Sequence, residues 1–193
     1  MWVKWIFDRV MALLGIIVLM PLFLFVAILI AFKMPDGPVV YKQKRVGQNG
    51  KLFTMVKFRT MKVDQKGGLI SVAGESRITP LGSVLRKYKI DELLQLWNVL
   101  KGDMSFVGPR PDVPEYVNKL VGEEREILSL KPGITGPASL KYNNEEYILS
   151  KVDDPMKYYD EVIFPDKVRI NQEYLHNWSF WGDIRIILRT ILR

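Results

Sequence analysis

The sequence predicts a single membrane-associated α/β domain, mostly α. Three observations predict it: an uncharged run from Val10 to Phe32, a hairpin signal at Asn49-Gly50, and apolar residues at helical spacing in Leu93–Leu100 and Ile184–Leu192. At 193 residues the chain can hold one domain with a real core but not two of ordinary size. It divides into a membrane segment over residues 1–33 and a polar domain over 34–193, without repeats or low-complexity linkers.

The run from Val10 to Phe32 is 23 residues long. A helix of that length covers a hydrocarbon layer of about 30 Å. The run exceeds a typical signal-peptide core, and Ala31-Phe32-Lys33-Met34 is not a small-x-small cleavage site, so a membrane segment is expected rather than a cleaved leader. Lys4 and Arg9 precede it, and Lys33, Lys42, Lys44 and Arg45 follow. Both flanks are positive, so charge favours neither orientation. Pro21 at the midpoint lacks an N–H and crowds the carbonyl of Ile17. A break there suits a segment that enters and leaves on one face, and a kinked single span is the alternative.

Val39-Val40-Tyr41 and Leu52-Phe53-Thr54-Met55-Val56 flank Gly47-Gln48-Asn49-Gly50, which predicts a short β-hairpin. Lys42, Lys44, Arg45, Lys51, Lys57, Arg59 and Lys62 follow one another with no acidic residue among them. Such an excess draws phosphate groups or anionic headgroups, unless it only protects a solvated edge strand. Leu93, Leu94, Leu96, Trp97, Val99 and Leu100 predict an apolar helix face starting just after Asp91, closed by Lys101 and Gly102. Pro109-Arg110-Pro111 excludes helix and fixes an extended turn carrying one guanidinium. Lys131-Pro132-Gly133-Ile134-Thr135-Gly136 is a second turn. Near the end, Ile184, Ile187, Leu188, Ile191 and Leu192 share a helical face while Arg185, Arg189 and Arg193 recur every four residues. With Trp178, Phe180 and Trp181 near its start, this segment is expected to be an amphipathic interfacial helix, core packing being the alternative.

Lys and Arg number 28 against 21 Asp and Glu, a net charge of +7. That balance suits nucleic acid, a membrane surface or phosphorylated substrates. The apolar run and the lack of a nucleic-acid-binding motif argue against the first. Absence of Cys excludes disulfides, thiolate zinc sites and Cys nucleophiles. His176 is the only His and has no Ser in a nucleophile-elbow context to serve. Asp91-Glu92 is the remaining candidate for chemistry. A helix start offers free N–H groups and positive partial charge, which keep a carboxylate ionised and accept a phosphate. Adjacent helical residues diverge by about 100°, so one carboxylate can attack phosphorus while the other holds Mg²⁺. Plain N-capping by Asp91 is the bland alternative.

Lys57-Phe58-Arg59-Thr60-Met61, the 21 residues from Asp91-Glu92-Leu93-Leu94-Gln95-Leu96-Trp97-Asn98 through Gly108-Pro109-Arg110-Pro111, and Lys131-Pro132-Gly133-Ile134-Thr135-Gly136 together resemble the small monotopic phosphoglycosyl transferases, bacterial enzymes acting on polyprenyl phosphate. The resemblance covers nearly the whole chain, fading after about Tyr142 and returning weakly in the C-terminal helix.

The resemblance implies a ping-pong reaction. Asp91 attacks the β-phosphate of a UDP-sugar, UMP leaves, and undecaprenyl or another polyprenyl phosphate takes the phosphosugar from the aspartate, starting a surface polysaccharide or glycoconjugate. It makes Asp91 and Glu92 catalytic, Glu92 the Mg²⁺ ligand, and Arg86 and Arg110 substrate-binding, with Lys57 and Arg59 added as phosphate-side residues. It further implies a re-entrant helix-break-helix over residues 1–33, contact with membrane lipids, no nucleic-acid partner, and a catalytic domain on the cytoplasmic face of the inner membrane. Two positions depart from the family: Met20-Pro21 stands where Ser-Pro is common, and Pro137 where many members carry Trp. Sugar contacts are expected in loops 67–77 and 143–154. A membrane-anchored scaffold without catalysis is the rival reading, and the intact Asp-Glu pair argues against it.

Overall fold

The computed structural model describes residues 2–63 and 76–192. Helix α1 (Trp2–Lys33) leads into the hairpin strands β1 (Val40–Val46) and β2 (Leu52–Phe58). Helix α2 (Pro80–Lys87), a 3-10 turn (Ile90–Gln95) and α3 (Leu96–Lys101) come next. Strand β3 (Ser105–Val107), α4 (Pro114–Val117), β4 (Gly133–Thr135) and α5 (Pro137–Lys141) follow. Helices α6 (Glu145–Leu149), α7 (Pro155–Tyr158), α8 (Phe164–His176) and α9 (Phe180–Ile191) complete the fold. The described residues are mostly helical, and their strands form two small pairs, antiparallel β1–β2 and parallel β3–β4.

The hairpin forms where Asn-Gly predicts it, with φ of 55° at Asn49 and 76° at Gly50, the left-handed region those residues reach most easily. Val46 faces Leu52 and Tyr41 faces Lys57 across the register. Phe53 and Met55 pack inward against Ala12 of α1 and Leu96 and Val99 of α3. The same two-residue period carries Lys57 beyond that apolar cluster to the wall of a cavity. Asn98 braces α3 on β2, accepting from Val56 N and donating to Thr54 O.

The helix α1 departs from the expected helix-break-helix, because helical backbone runs through Pro21. Pro21 forfeits a hydrogen bond toward Ile17, but Ile16 and Leu19 before it and Leu22 and Phe23 after it all pack on the domain and hold the two halves together. The buried stripe continues along the helix, from Lys4, Asp8 and Ala12 to Val26 and Ile30. The opposite face, with Val10, Leu14, Ile17, Val18, Leu24, Phe25 and Ile28, is exposed and apolar. By length and composition α1 is able to cross a membrane.

The ends of the chain meet over β3. Lys4 of α1 is buried, pairs with Asp183 of α9 at 2.5 Å and donates to Val107 O at 2.9 Å. Tyr174 Oη and Trp178 Nε1 also donate to Asp183, at 2.6 and 3.0 Å. Lys4 is therefore consumed in an internal ion pair rather than left as a positive flank. Helix α9 is both interfacial in pattern and core-packed: Ile186 and Ile187 pack inward with Val107 and Tyr174, while Trp181, Leu188, Ile191 and Leu192 are exposed. Ile187 thus leaves the face predicted for it, because the buried Asp183 fixes the inward side at i and i+4. Arg193 lies outside the described residues.

Candidate active site

Asp91 and Glu92 occupy the 3-10 turn, which starts at Lys89 with φ 55° and ψ 21°. A left-handed non-glycine residue costs on the order of 1 kcal/mol, and such strain gathers at functional sites. Neither carboxylate caps the turn, so the N-capping alternative for Asp91 does not hold. Successive residues of a 3-10 turn diverge by about 120°. Both carboxylates are buried and line a polar cavity of about 140 Å³, and their surroundings differ.

The carboxylate of Glu92 accepts both arms of Arg110, Nη1 to Oε2 at 3.1 Å and Nη2 to Oε1. Burial pushes Glu92 up, but the guanidinium outweighs it and holds the carboxyl at about 2. Asp91 has no such fork. Burial and the neighbouring Glu92 charge push it up to about 6 against the pull of Lys57 and Arg86. The ionising field expected of a helix start is overcome by burial. Asp91 Oδ1 is buried without a hydrogen-bond partner among the described residues.

Arg110 is aimed by a backbone crossing. Gly108 N donates to Thr135 O at 2.9 Å and Gly133 N to Pro109 O at 2.8 Å. A Cβ on Gly108 would lie 2.3 Å from Lys131 O, and one on Gly133 would lie 2.2 Å from Gly108 N, so the two strands approach closer than any side chain allows. Arg45 of β1 supports the turn from beyond, donating to Pro111 O at 3.2 Å.

Lys57 faces the two carboxylates from β2, its ammonium pushed down to about 8 by burial despite their attraction. Arg86, in the last turn of α2, enters the same cavity and pairs with Glu146 of α6. The structure therefore gathers Asp91, Glu92, Lys57, Arg86 and Arg110 in one place. Arg59 is not among them. Its guanidinium is buried and donates to the carbonyls of Met34 and Gly37, tying the end of α1 to the hairpin. Lys57 and Arg59 share a strand direction, but β2 ends at Phe58, and the chain turns Arg59 toward the α1–β1 connection.

Sequence reasoning missed Lys89, Asp112, Glu145, Glu146 and Lys167 as cavity residues. Their local patterns match those of solvated charges, and only the fold draws them together. Loop 143–154 reaches the cavity through Glu145 and Glu146, whereas residues 67–75 of the other expected sugar loop lie outside the described residues. Pro137 opens α5 at a position where its missing N–H is harmless.

A family model described as bacterial sugar transferase matches residues 1–193. The chain belongs to the bacterial sugar transferase family. Among its relatives in this family is the UDP-glucose:undecaprenyl-phosphate glucose-1-phosphate transferase of Xanthomonas campestris pv. campestris, 37% identical over 96% of this chain and 37% of that protein. The UDP-N-acetylgalactosamine-undecaprenyl-phosphate N-acetylgalactosaminephosphotransferase of Aeromonas hydrophila is 35% identical over 95% of this chain and 41% of that one. The uncharacterized sugar transferase EpsL of Bacillus subtilis is 36% identical over 97% of this chain and 85% of its own length. The chain thus spans well under half of the first two proteins.

For a family member the metal question turns on the donor set. Among the described residues no group of three or more acidic or imidazole side chains could cage a metal. Mg²⁺ commonly needs only one or two carboxylates, with phosphate oxygens and water completing its shell. The carboxylate of Glu92, which lines the cavity beside Asp91, fits an open site of that kind. Glu92 Oε1 and Oε2 each accept one hydrogen bond from Arg110, and each retains a lone pair.

Proposed function

We propose that this chain transfers a sugar-1-phosphate from a UDP-sugar to undecaprenyl phosphate or a related polyprenyl phosphate, with Asp91 as nucleophile. The observation that carries the reading is the buried, unpartnered Oδ1 of Asp91 in a cavity shared with Lys57, Arg86 and the Glu92–Arg110 fork. A carboxyl held near 6 is mostly ionised at neutral pH yet lacks the hydrogen bonds that would blunt it.

In the first half-reaction an Asp91 oxygen bonds to the β-phosphorus. The bond from that phosphorus to the bridging oxygen breaks, its electron pair goes to the α-phosphate, and UMP leaves. In the second, an oxygen of the polyprenyl phosphate attacks the same phosphorus. The Asp91–phosphorus bond breaks, restoring the carboxylate and giving a polyprenyl diphosphate sugar. Lys57, Arg86 and Arg110 supply positive charge around the migrating group, where phosphoryl transfer gains most from fixed cations. When bound, Mg²⁺ held by Glu92 would neutralise charge on the diphosphate.

The lipid acceptor requires the cavity to sit at a membrane surface. Support comes from α1, whose stripe from Lys4 to Ile30 contacts one domain while its outer face is apolar. Both ends of α1 rest on the same domain, which favours a helix held along the cytoplasmic face of the inner membrane over a span that leaves it. The names of the relatives support undecaprenyl phosphate as the acceptor, and the start of a surface polysaccharide is the role proposed with it.

The test is UMP release by purified protein with Mg²⁺, undecaprenyl phosphate and a panel of UDP-sugars, with intact-protein mass measured when lipid is omitted. A mass gain of one phosphosugar, absent from Asp91→Asn, is expected. Release without any covalent adduct would remove the two-step route, and no release with any donor would favour the scaffold reading.

A further inference from the structure

We infer that Glu146 is an internal counter-ion seated where a donor phosphate binds Arg86, so that donor binding must displace it. The inference rests on the proposed use of a UDP-sugar. The cavity walls carry six cationic and five carboxylic side chains, a nearly balanced set that leaves little net attraction for a diphosphate. Asp91 and Glu92 belong to the chemistry, and Asp112 sits at the start of the connection to α4. The other two acids come from one short helix, α6. There Glu145 pairs with Lys167 and Glu146 with Arg86.

Three features mark the Glu146 pairing as exchangeable. A guanidinium receives a carboxylate and a phosphate through the same planar fork, so one can replace the other on Arg86. Arg86 Nε is buried and has no hydrogen-bond partner among the described residues, so Glu146 leaves part of that guanidinium unsatisfied. The side chains differ in access, Arg86 being 13% exposed and Glu146 36%. Water therefore reaches the carboxylate more readily than the cation.

The anchoring of α6 decides what moves. Leu149 is fully buried in the core with Ile148 packed beside it, so the helix stays and only the Glu146 side chain needs to rotate. Before a donor binds, Glu146 holds the Arg86 guanidinium at the cavity wall. On donor arrival it swings outward, and its loss from the cavity raises the positive charge facing the diphosphate.

UDP binding measured by calorimetry at fixed ionic strength tests this. Glu146→Gln should bind UDP about fivefold more tightly than the wild type, the factor expected on losing a competing ion pair worth roughly 1 kcal/mol. Glu173→Gln removes the same charge from an exposed pair on α8 and should leave UDP affinity unchanged. In an Arg86→Gln background the gain from Glu146→Gln should vanish, which isolates the pair. Unchanged or weaker UDP binding by a Glu146→Gln protein that melts like the wild type would overturn the inference and make Glu146 a structural brace. Failure of the wild type itself to bind UDP would instead sink the proposed donor, and the inference with it.

Discussion

Asp91 and Glu92 are chain neighbours with opposite proton affinities, and a single guanidinium accounts for the contrast. Glu92 is ionised by Arg110 and stays so at every physiological pH, whereas Asp91 titrates near 6. As the proposed nucleophile Asp91 must be deprotonated, so kcat/KM should rise through pH 6 and level off. Lys57, near 8, should lose its charge and its grip on phosphate above that pH, giving a falling limb that Lys57→Met abolishes. A flat profile between pH 5 and 7 would disprove the acidic limb. The same shift bears on stability. Below 3.8 folded and unfolded chains both hold the Asp91 proton, and between 3.8 and about 6 only the folded chain does, so folding loses stability as pH rises across that window. Removing the ionisable group should therefore stabilise the protein: Asp91→Asn is expected to be inactive yet more stable at pH 7 by on the order of 2–3 kcal/mol. Thermal melts in detergent check this, and a lower melting temperature would contradict the burial argument. Glu92→Gln should reduce turnover severely and flatten its dependence on Mg²⁺, and an unaltered Mg²⁺ titration would place the metal elsewhere.

At the scale of elements, the site depends on how closely β3 and β4 approach. Gly108→Ala would drive a methyl group into the carbonyl of Lys131, pushing the strands apart and moving Arg110 off Glu92. Turnover should drop far more than folding stability, and wild-type rates in this variant would show that Arg110 needs no such fixing. The contact between α1 and α9 is a second such joint. Asp183→Asn takes from the buried Lys4 ammonium its hydrogen-bonded counter-charge, which should cost about 3–5 kcal/mol. Pairing that change with Lys4→Met should recover much of the loss in chemical denaturation. Some of these elements were readable from residue pattern. The hairpin followed from Asn49-Gly50, and the turn that carries the paired carboxylates from Asp91-Glu92 ahead of a leucine-rich run. The continuity of α1 was not, because Pro21 speaks only for its own turn while the contacts of Ile16, Leu19, Leu22 and Phe23 that hold the helix together are tertiary.

For the whole molecule, the outward faces of α1 and α9 define an apolar surface far larger than isolated exposed side chains explain. A helix α1 held along one membrane face predicts that Trp2 and Leu192 lie on the same, cytoplasmic side. The lack of native Cys makes the measurement direct: single Trp2→Cys and Leu192→Cys variants, both at exposed positions, should resist an impermeant thiol reagent in intact cells and react in inverted vesicles. Labelling of Trp2→Cys from outside would establish a true span. The sequence by itself determined the long apolar N-terminal segment, the hairpin, and the five residues Lys57, Arg86, Asp91, Glu92 and Arg110 that converge on the cavity, because periodicity, turn chemistry and motif are local properties. Tertiary structure alone decided that Arg59 serves the α1–β1 connection, that Lys4 is spent on Asp183, and that Glu145, Glu146 and Lys167 complete the cavity. A charge reveals its role only through the partner it meets, and here the partners come from distant parts of the chain.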